Sequence, residues 1–189
     1  MNIDVLKSLG TIKKFNQDDF VCVENETGNT AYLLLQGNVD IVLGSFTDST
    51  KAVAQLKPGT IFGEMSLLEN KPRNASAIAK SDNTLVLEIE KNNFLSILKT
   101  DKEIAWNLLC TLLNRTEKLM LFNDLKDFVY VAGYRKNRYY VQLKKLSQEQ
   151  FDTIIEKDGE YAIKLLKFLS SALAEMNEEL LRKEKEDFF

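Results

Sequence analysis

The chain has 189 residues, 44% hydrophobic and 28% charged, which is enough for one well-buried core with an appendage and too apolar for a disordered segment. It contains no histidine, which removes the commonest metal ligand and the commonest general acid-base, and so disfavours most hydrolase and metalloenzyme readings, a cupin-like metal barrel among them. A formal net charge of −3 supplies no long-range attraction to phosphate backbones and argues against nucleic acid as the main partner.

No run of about 18 apolar residues occurs, and Met1-Asn-Ile-Asp is not a basic region followed by an apolar stretch. Neither a membrane span nor a signal peptide is expected, and a cytoplasmic location follows. Cys22 and Cys110 stand far apart without metal-ligand spacing, so both read as small buried hydrophobes and no disulfide is expected.

From Ile12 to about Ile89 short apolar runs alternate with polar or glycine-containing turns. Phe20-Val-Cys-Val, Ala31 to Leu35, Val39 to Leu43, Ala52-Val-Ala, Ala75 to Ala79 and Thr84 to Ile89 each have strand length. Many short strands imply a barrel, roll or sandwich. Gly28, Gly37, Gly44 and Gly59 fall between the runs, where a left-handed backbone is expected.

Within this region Ile61-Phe-Gly-Glu-Met-Ser-Leu-Leu-Glu-Asn-Lys-Pro-Arg-Asn-Ala-Ser-Ala reads as a turn, a short helix and a strand. Gly63 permits a close turn, and the free N–H groups of the following helical turn suit an anion. Pro72 is expected to end the helix and Arg73 to begin the strand, with a positive fork able to grip two phosphate oxygens. Glu64 would repel a phosphate unless it serves another part of the ligand, and its natural task is to accept a hydrogen bond from a sugar hydroxyl. For an arbitrary pair of this kind a surface salt bridge beside a tight turn is the simpler reading; the flanking residues reverse that judgement.

Beyond Glu90 the spacing becomes helical. Asn92 or Asn93 is a candidate cap, and Phe94, Ile97 and Leu98 share one face. A longer helix runs from about Lys102 to Phe122, with one apolar stripe through Ile104, Leu108, Leu112 and Leu119 and a second through Ala105, Leu109, Leu113 and Met120. That face is too wide for a helix covered on one side only.

The C-terminal part echoes this helical unit. Ile89 to Leu109 can be laid over Leu146 to Leu166 without a gap, matching Phe94 with Phe151 and Leu108-Leu109 with Leu165-Leu166. The pattern is either that of a duplicated domain whose second copy has lost its strands or a chance similarity of amphipathic helices. Ser147-Gln-Glu-Gln150 has capping-box spacing, and Gly159 is expected to separate a short helix from a final long one. Ala162, Leu166, Leu169, Leu173, Met176 and Leu180 then form the seam of a helix pair, either within the chain or in a homodimer.

Phe62-Gly63-Glu64-Met65-Ser66-Leu67-Leu68 followed by Pro72-Arg73-Asn74-Ala75-Ser76 resembles the phosphate-binding cassette of the cyclic-nucleotide-binding domain family. Val21-Cys22, Gly28, Tyr32-Leu-Leu-Leu35 and Gly37 resemble a second signature of that family, and the likeness spans roughly residues 12 to 122. Asn25 departs from it, standing where a glycine is usual.

The resemblance implies an α+β fold: an eight-stranded, jelly-roll-like β-roll with flanking helices and a C-terminal all-α extension. It divides the chain into a nucleotide-binding roll with lid helix, residues 1–122, and a helical extension, residues 123–189. It implies ligand contacts from Gly63, Glu64, Met65, Ser66, Arg73, Asn74, Ala75 and Ser76. Glu64 would take the ribose 2′-hydroxyl, Arg73 an exocyclic phosphate oxygen, and N–H groups near Gly63, Ser66 and Ala75 the rest of the anion. Gly28 and Gly37 would only shape the roll. The amide of Asn74 leaves cyclic AMP and cyclic GMP unseparated, with cyclic AMP preferred.

No catalytic residue, metal or cofactor is implied. The chain reads as a receptor or regulatory domain that binds a cyclic nucleotide and passes the event to its C-terminal helices and to an effector protein not identifiable from sequence. Two rivals stand beside this. A catabolite-activator-like transcription regulator has a foothold in Arg135-Lys-Asn-Arg-Tyr-Tyr140, but no recognition helix rich in Arg, Gln or Ser follows a tight turn. A degenerate roll acting as an interaction scaffold is opposed by the intact Glu64 and Arg73.

Overall fold

Short runs with alternating apolar residues can bury one face only by pairing into sheets and stacking those sheets. The computed structural model of the chain describes residues 9–47, 50–122 and 145–186, with side chains to residues 117 and 178 in the two longest helices. Its strands form two antiparallel four-stranded sheets. β1 (Thr11–Phe15), β8 (Thr84–Glu90), β3 (Thr30–Gln36) and β6 (Ile61–Phe62) make the first sheet in that order, and β2 (Phe20–Cys22), β7 (Ser76–Ala79), β4 (Val39–Leu43) and β5 (Lys51–Leu56) the second.

Inward side chains of both sheets, including Val21, Leu34, Val39, Leu56, Phe62 and Val86, meet in one core. The α+β class with an eight-stranded β-roll agrees with the sequence reading. Two strands were absent from that reading for physical reasons. β1 is an edge strand that carries Lys13 and Lys14 and leaves most of its residues in solvent, and β6 is only two residues long.

Gly37, Gly44 and Gly59 adopt the left-handed backbone expected of them, with φ of 87°, 62° and 90°, but Gly28 does not. Asn25 is left-handed at φ 67°. Asn is one of the few residues that tolerate this conformation, so the departure from glycine at this hairpin is accommodated.

Among the described residues the helices are, in chain order, α1 (Glu64–Glu69), α2 (Lys91–Thr100), α3 (Lys102–Phe122), α4 (Gln148–Lys157) and α5 (Gly159–Glu186). α2 starts directly after β8, so Asn92 and Asn93 lie inside it and neither caps it. The N–H of Lys91 instead donates to the Asn29 carbonyl at 3.0 Å, which satisfies one of the free donors at that end. At α4 the expected capping box is complete: Gln150 N–H donates to Ser147 Oγ at 3.3 Å, and Ser147 N–H donates to Gln150 Oε1 at 3.0 Å. The break before the final helix falls at Asp158, with Gly159 as the first residue of α5.

The chain separates into two compact units, Met1–Ser96 and Ile97–Phe189. In the second, α3 packs along α5 and both meet α4. Among the described residues, no helix is long and apolar enough to cross a membrane. The stretch Arg135 to Tyr140 and the side chains of Leu119, Met120 and Leu180 lie outside the described residues.

Candidate functional site

The site is built where the chain crosses from one sheet to the other, between β6 and β7. Gly63 takes a left-handed φ of 71°, and α1 begins at the next residue. The helix ends at Asn70, left-handed at φ 55°, whose N–H returns to the Ser66 carbonyl. The stop therefore comes before Pro72, because Asn70 closes the last turn itself.

Arg73 does not begin a strand; β7 starts at Ser76. Its backbone is claimed by the β2–β3 loop instead. Arg73 N–H donates to the Glu26 carbonyl at 2.8 Å and Asn25 N–H to the Arg73 carbonyl at 2.8 Å, beside a bridge between Thr27 and Pro72. The same loop that contains the left-handed Asn25 thus clamps the residue that carries the guanidinium.

The Arg73 side chain points inward and is 6% exposed. Nη1 donates to the Gly63 carbonyl at 2.6 Å and to Ser66 Oγ at 2.9 Å, while Nη2 donates to Thr30 Oγ1 at 3.1 Å. Ser66 Oγ in turn donates to the Gly63 carbonyl at 3.1 Å, and Thr30 Oγ1 to Tyr32 Oη at 3.0 Å. The guanidinium carbon lies 5.4 Å from the centre of the Tyr32 ring, which stacks on Phe62 at 5.2 Å. A cation over a ring face is attracted by the ring quadrupole. Hydrogen bonds of this number hold a planar fork in one orientation.

Glu64, the first residue of α1, is 1% exposed. Burial raises the pKa of the nearby Cys22 thiol, and Arg73 pulls it down in part. Met65, Asn74 and Ala75 are half-buried on either side of the turn. Ser76 is buried, but its hydroxyl is engaged elsewhere: it accepts from Glu24 N–H at 2.9 Å and lies 2.6 Å from Ser45 Oγ. Of the eight residues expected from the sequence, Gly63, Ser66 and Arg73 are brought together by direct hydrogen bonds.

Three contributors were missed as site residues: Gly28, Thr30 and Tyr32. Gly28 was taken only to shape the roll. A Cβ on it would stand 2.3 Å from Ser66 Oγ and 2.7 Å from Arg73 Nε, so the bare backbone there makes room for the guanidinium. Tyr32 belongs to the second signature and Thr30 stands two residues before it on β3, so strand alternation places both on the face that meets Arg73; no local motif marks that. Both cysteines are free and only half-buried, not fully buried as expected. Among the described residues there is no cluster of three or more potential metal-ligating side chains.

A roll of eight strands thus carries a buried arginine fork beside the short helix that joins two of them. Residues 12–101 match the family model described as "Cyclic nucleotide-binding domain", and through this segment the chain belongs to that family. It is similar to the cyclic AMP receptor protein of Thermus thermophilus, 30% identical over 146 residues, covering 77% of this chain and 66% of the relative. It is also similar to the cyclic nucleotide-gated channel beta-3 of Canis lupus familiaris, 37% identical over 83 residues, covering 42% of this chain and 10% of that protein. The chain therefore spans less than the full length of both relatives. The crystal structure of the Thermus thermophilus catabolite activator protein shares the fold, with a TM-score of 0.57 at 23% identity over 90% of this chain and 94% of that one.

Proposed function

We propose that this protein is a receptor or regulatory domain that binds a cyclic nucleoside monophosphate, cyclic AMP in preference to cyclic GMP, in the Phe62 to Ser76 cassette. The observation that carries the reading is Arg73, an always-charged fork buried and aimed by Gly63, Ser66 and Thr30 inside a segment that matches the family. On binding, a phosphate oxygen takes over bonds now given to the Gly63 carbonyl and the Ser66 hydroxyl. Exchange of neutral acceptors for a charged one makes each bond stronger.

In this reading the N–H groups near Gly63, Ser66 and Ala75 complete the anion pocket, Glu64 accepts from the ribose 2′-hydroxyl, and Met65, Asn74 and Ser76 line the cassette. The ligand is bound and released unchanged. Residues 1–122 form the binding unit with α3 as its lid, and residues 123–189 transmit the event, in a cytoplasmic setting, to an effector protein. A ligand drives such closure only through its differential affinity for the closed form.

Titration calorimetry with cyclic AMP and cyclic GMP on the wild type and Arg73→Ala tests this. Binding to the wild type and a loss of about 2–5 kcal/mol in the variant, on the order of 30-fold or more in Kd, is expected. No heat with either nucleotide favours the interaction scaffold instead. The 146-residue similarity to the Thermus cyclic AMP receptor protein extends beyond the roll and favours a second reading, a transcription regulator. Affinity for duplex DNA that rises with cyclic nucleotide would establish that reading.

A further inference from the structure

The echo between the two helical units holds at the level of structure. Lys91 and Gln148, Thr100 and Lys157, and Lys102 and Gly159, which bound α2 with α4 and open α3 with α5, are all separated by the same 57 positions. One aspartate stands between the helices in each unit and caps the second. Asp101 Oδ1 accepts from Ile104 N–H at 2.9 Å, and Asp158 Oδ1 accepts from Glu160 N–H at 3.0 Å. Buried positions correspond as well: Ala105 with Ala162, Leu109 with Leu166, and Leu112 with Leu169.

The contacts between the two units are reciprocal. Glu156, at the end of α4, pairs with Lys102, at the start of α3. Glu156 corresponds to Lys99 and Lys102 to Gly159, and these last two residues also meet: a Cβ on Gly159 would stand 2.8 Å from the Lys99 carbonyl and 3.0 Å from Lys99 Cβ. Lys99 is further joined to Glu160 by an ion pair. Residue i of one unit touches j of the other, and j of the first touches i of the second. That exchange is the signature of an isologous, two-fold interface.

We propose that α4 and α5 stand against the Ile97–Phe122 segment as the second half of an internal two-fold pair, so that the surface on which this helical unit would receive its own copy is already occupied within the chain. At Gly159 the symmetry is broken by size, because a side chain there would stand too close to the Lys99 carbonyl. A partner tethered on the same chain is present at an effective concentration of order mM, which a separate copy does not match at ordinary protein concentrations. The unit is thereby closed against homodimerisation through this seam, and α3 and α5 respond together. The inference stands independently of any ligand.

The test is zero-length carbodiimide cross-linking of the full wild-type chain, which joins a lysine to a carboxylate where the two form an ion pair, as Lys102 with Glu156 and Lys99 with Glu160 do. These two cross-links are expected within one chain, with monomer mass on a denaturing gel at both low and high protein concentration. The same links found only in a dimer band, or absent altogether, overturn the proposal. A second measurement uses substitution: Lys102→Glu and Glu156→Lys are each expected to lower Tm, and the double exchange to restore it. Additive losses in the double variant also overturn it.

Discussion

Gly28 and Arg73 are complementary in space: the missing Cβ of the first is the room occupied by the guanidinium of the second, at 2.7 Å from Nε and 2.8 Å from Cζ. The backbone at Gly28 is not left-handed, so an alanine there meets no conformational penalty. Any effect of the substitution comes from displacement of the fork and of the Ser66 hydroxyl bonded to it. Gly28→Ala is expected to lower cyclic nucleotide affinity on the order of 10-fold, and stability by about 1–3 kcal/mol as an overpacked site. Calorimetry and urea unfolding measure the two separately, and wild-type affinity would remove Gly28 from the site.

Thr30 joins Arg73 to Tyr32, accepting from one and donating to the other. Thr30→Val keeps the shape and deletes the hydroxyl. It leaves one arginine donor and the tyrosine oxygen without this partner, at about 1–3 kcal/mol. Thr30→Ser restores the hydroxyl and is expected to recover most of both stability and affinity. Loss of affinity in Thr30→Ser but not in Thr30→Val would mean that the methyl group, not the hydroxyl, matters.

The Ser147 capping box is exposed and local, so its removal reads the stability of the second unit alone. Ser147→Ala is expected to cost about 0.5–2 kcal/mol, and Ser147→Asp only a fraction of that, since aspartate is an equal N-cap. Thermal unfolding followed by circular dichroism checks the order of the three proteins. Nucleotide affinity is expected to change least.

Burial holds the Cys22 thiol above its ordinary value of 9.0, with Arg73 offsetting part of the rise. A folded-state pKa above the unfolded one stabilises the protonated form. This contribution is complete below pH 9.0 and is lost as pH rises through the folded value. The wild type is therefore expected to lose Tm above pH 9.0 more steeply than Cys22→Ser. At pH 8 its Cys22 should alkylate more slowly than glutathione, because the thiolate is the reactive form. Parallel Tm profiles in the two proteins would contradict this.

Much of this molecule is written in local pattern. Period-two alternation and spaced glycines mark the roll, helical spacing marks α3 to within the resolution of its ends, and Ser147 with Gln150 writes the cap of α4. The Phe62 to Ser76 cassette is equally local, because a turn, a helix and an arginine at fixed spacing are properties of neighbouring residues. The offset between the helical units was visible in the same way, since a repeat is a relation between letters.

What only the tertiary structure decided are relations across the chain. Which loop clamps Arg73, why residue 28 must be bare, that Thr30 and Tyr32 complete the fork's surroundings, and that Lys102–Glu156 and Lys99–Gly159 are reciprocal contacts all depend on how distant segments meet. Propensity and periodicity report the face a residue presents. They are silent on what stands opposite, because that is set by packing of the whole.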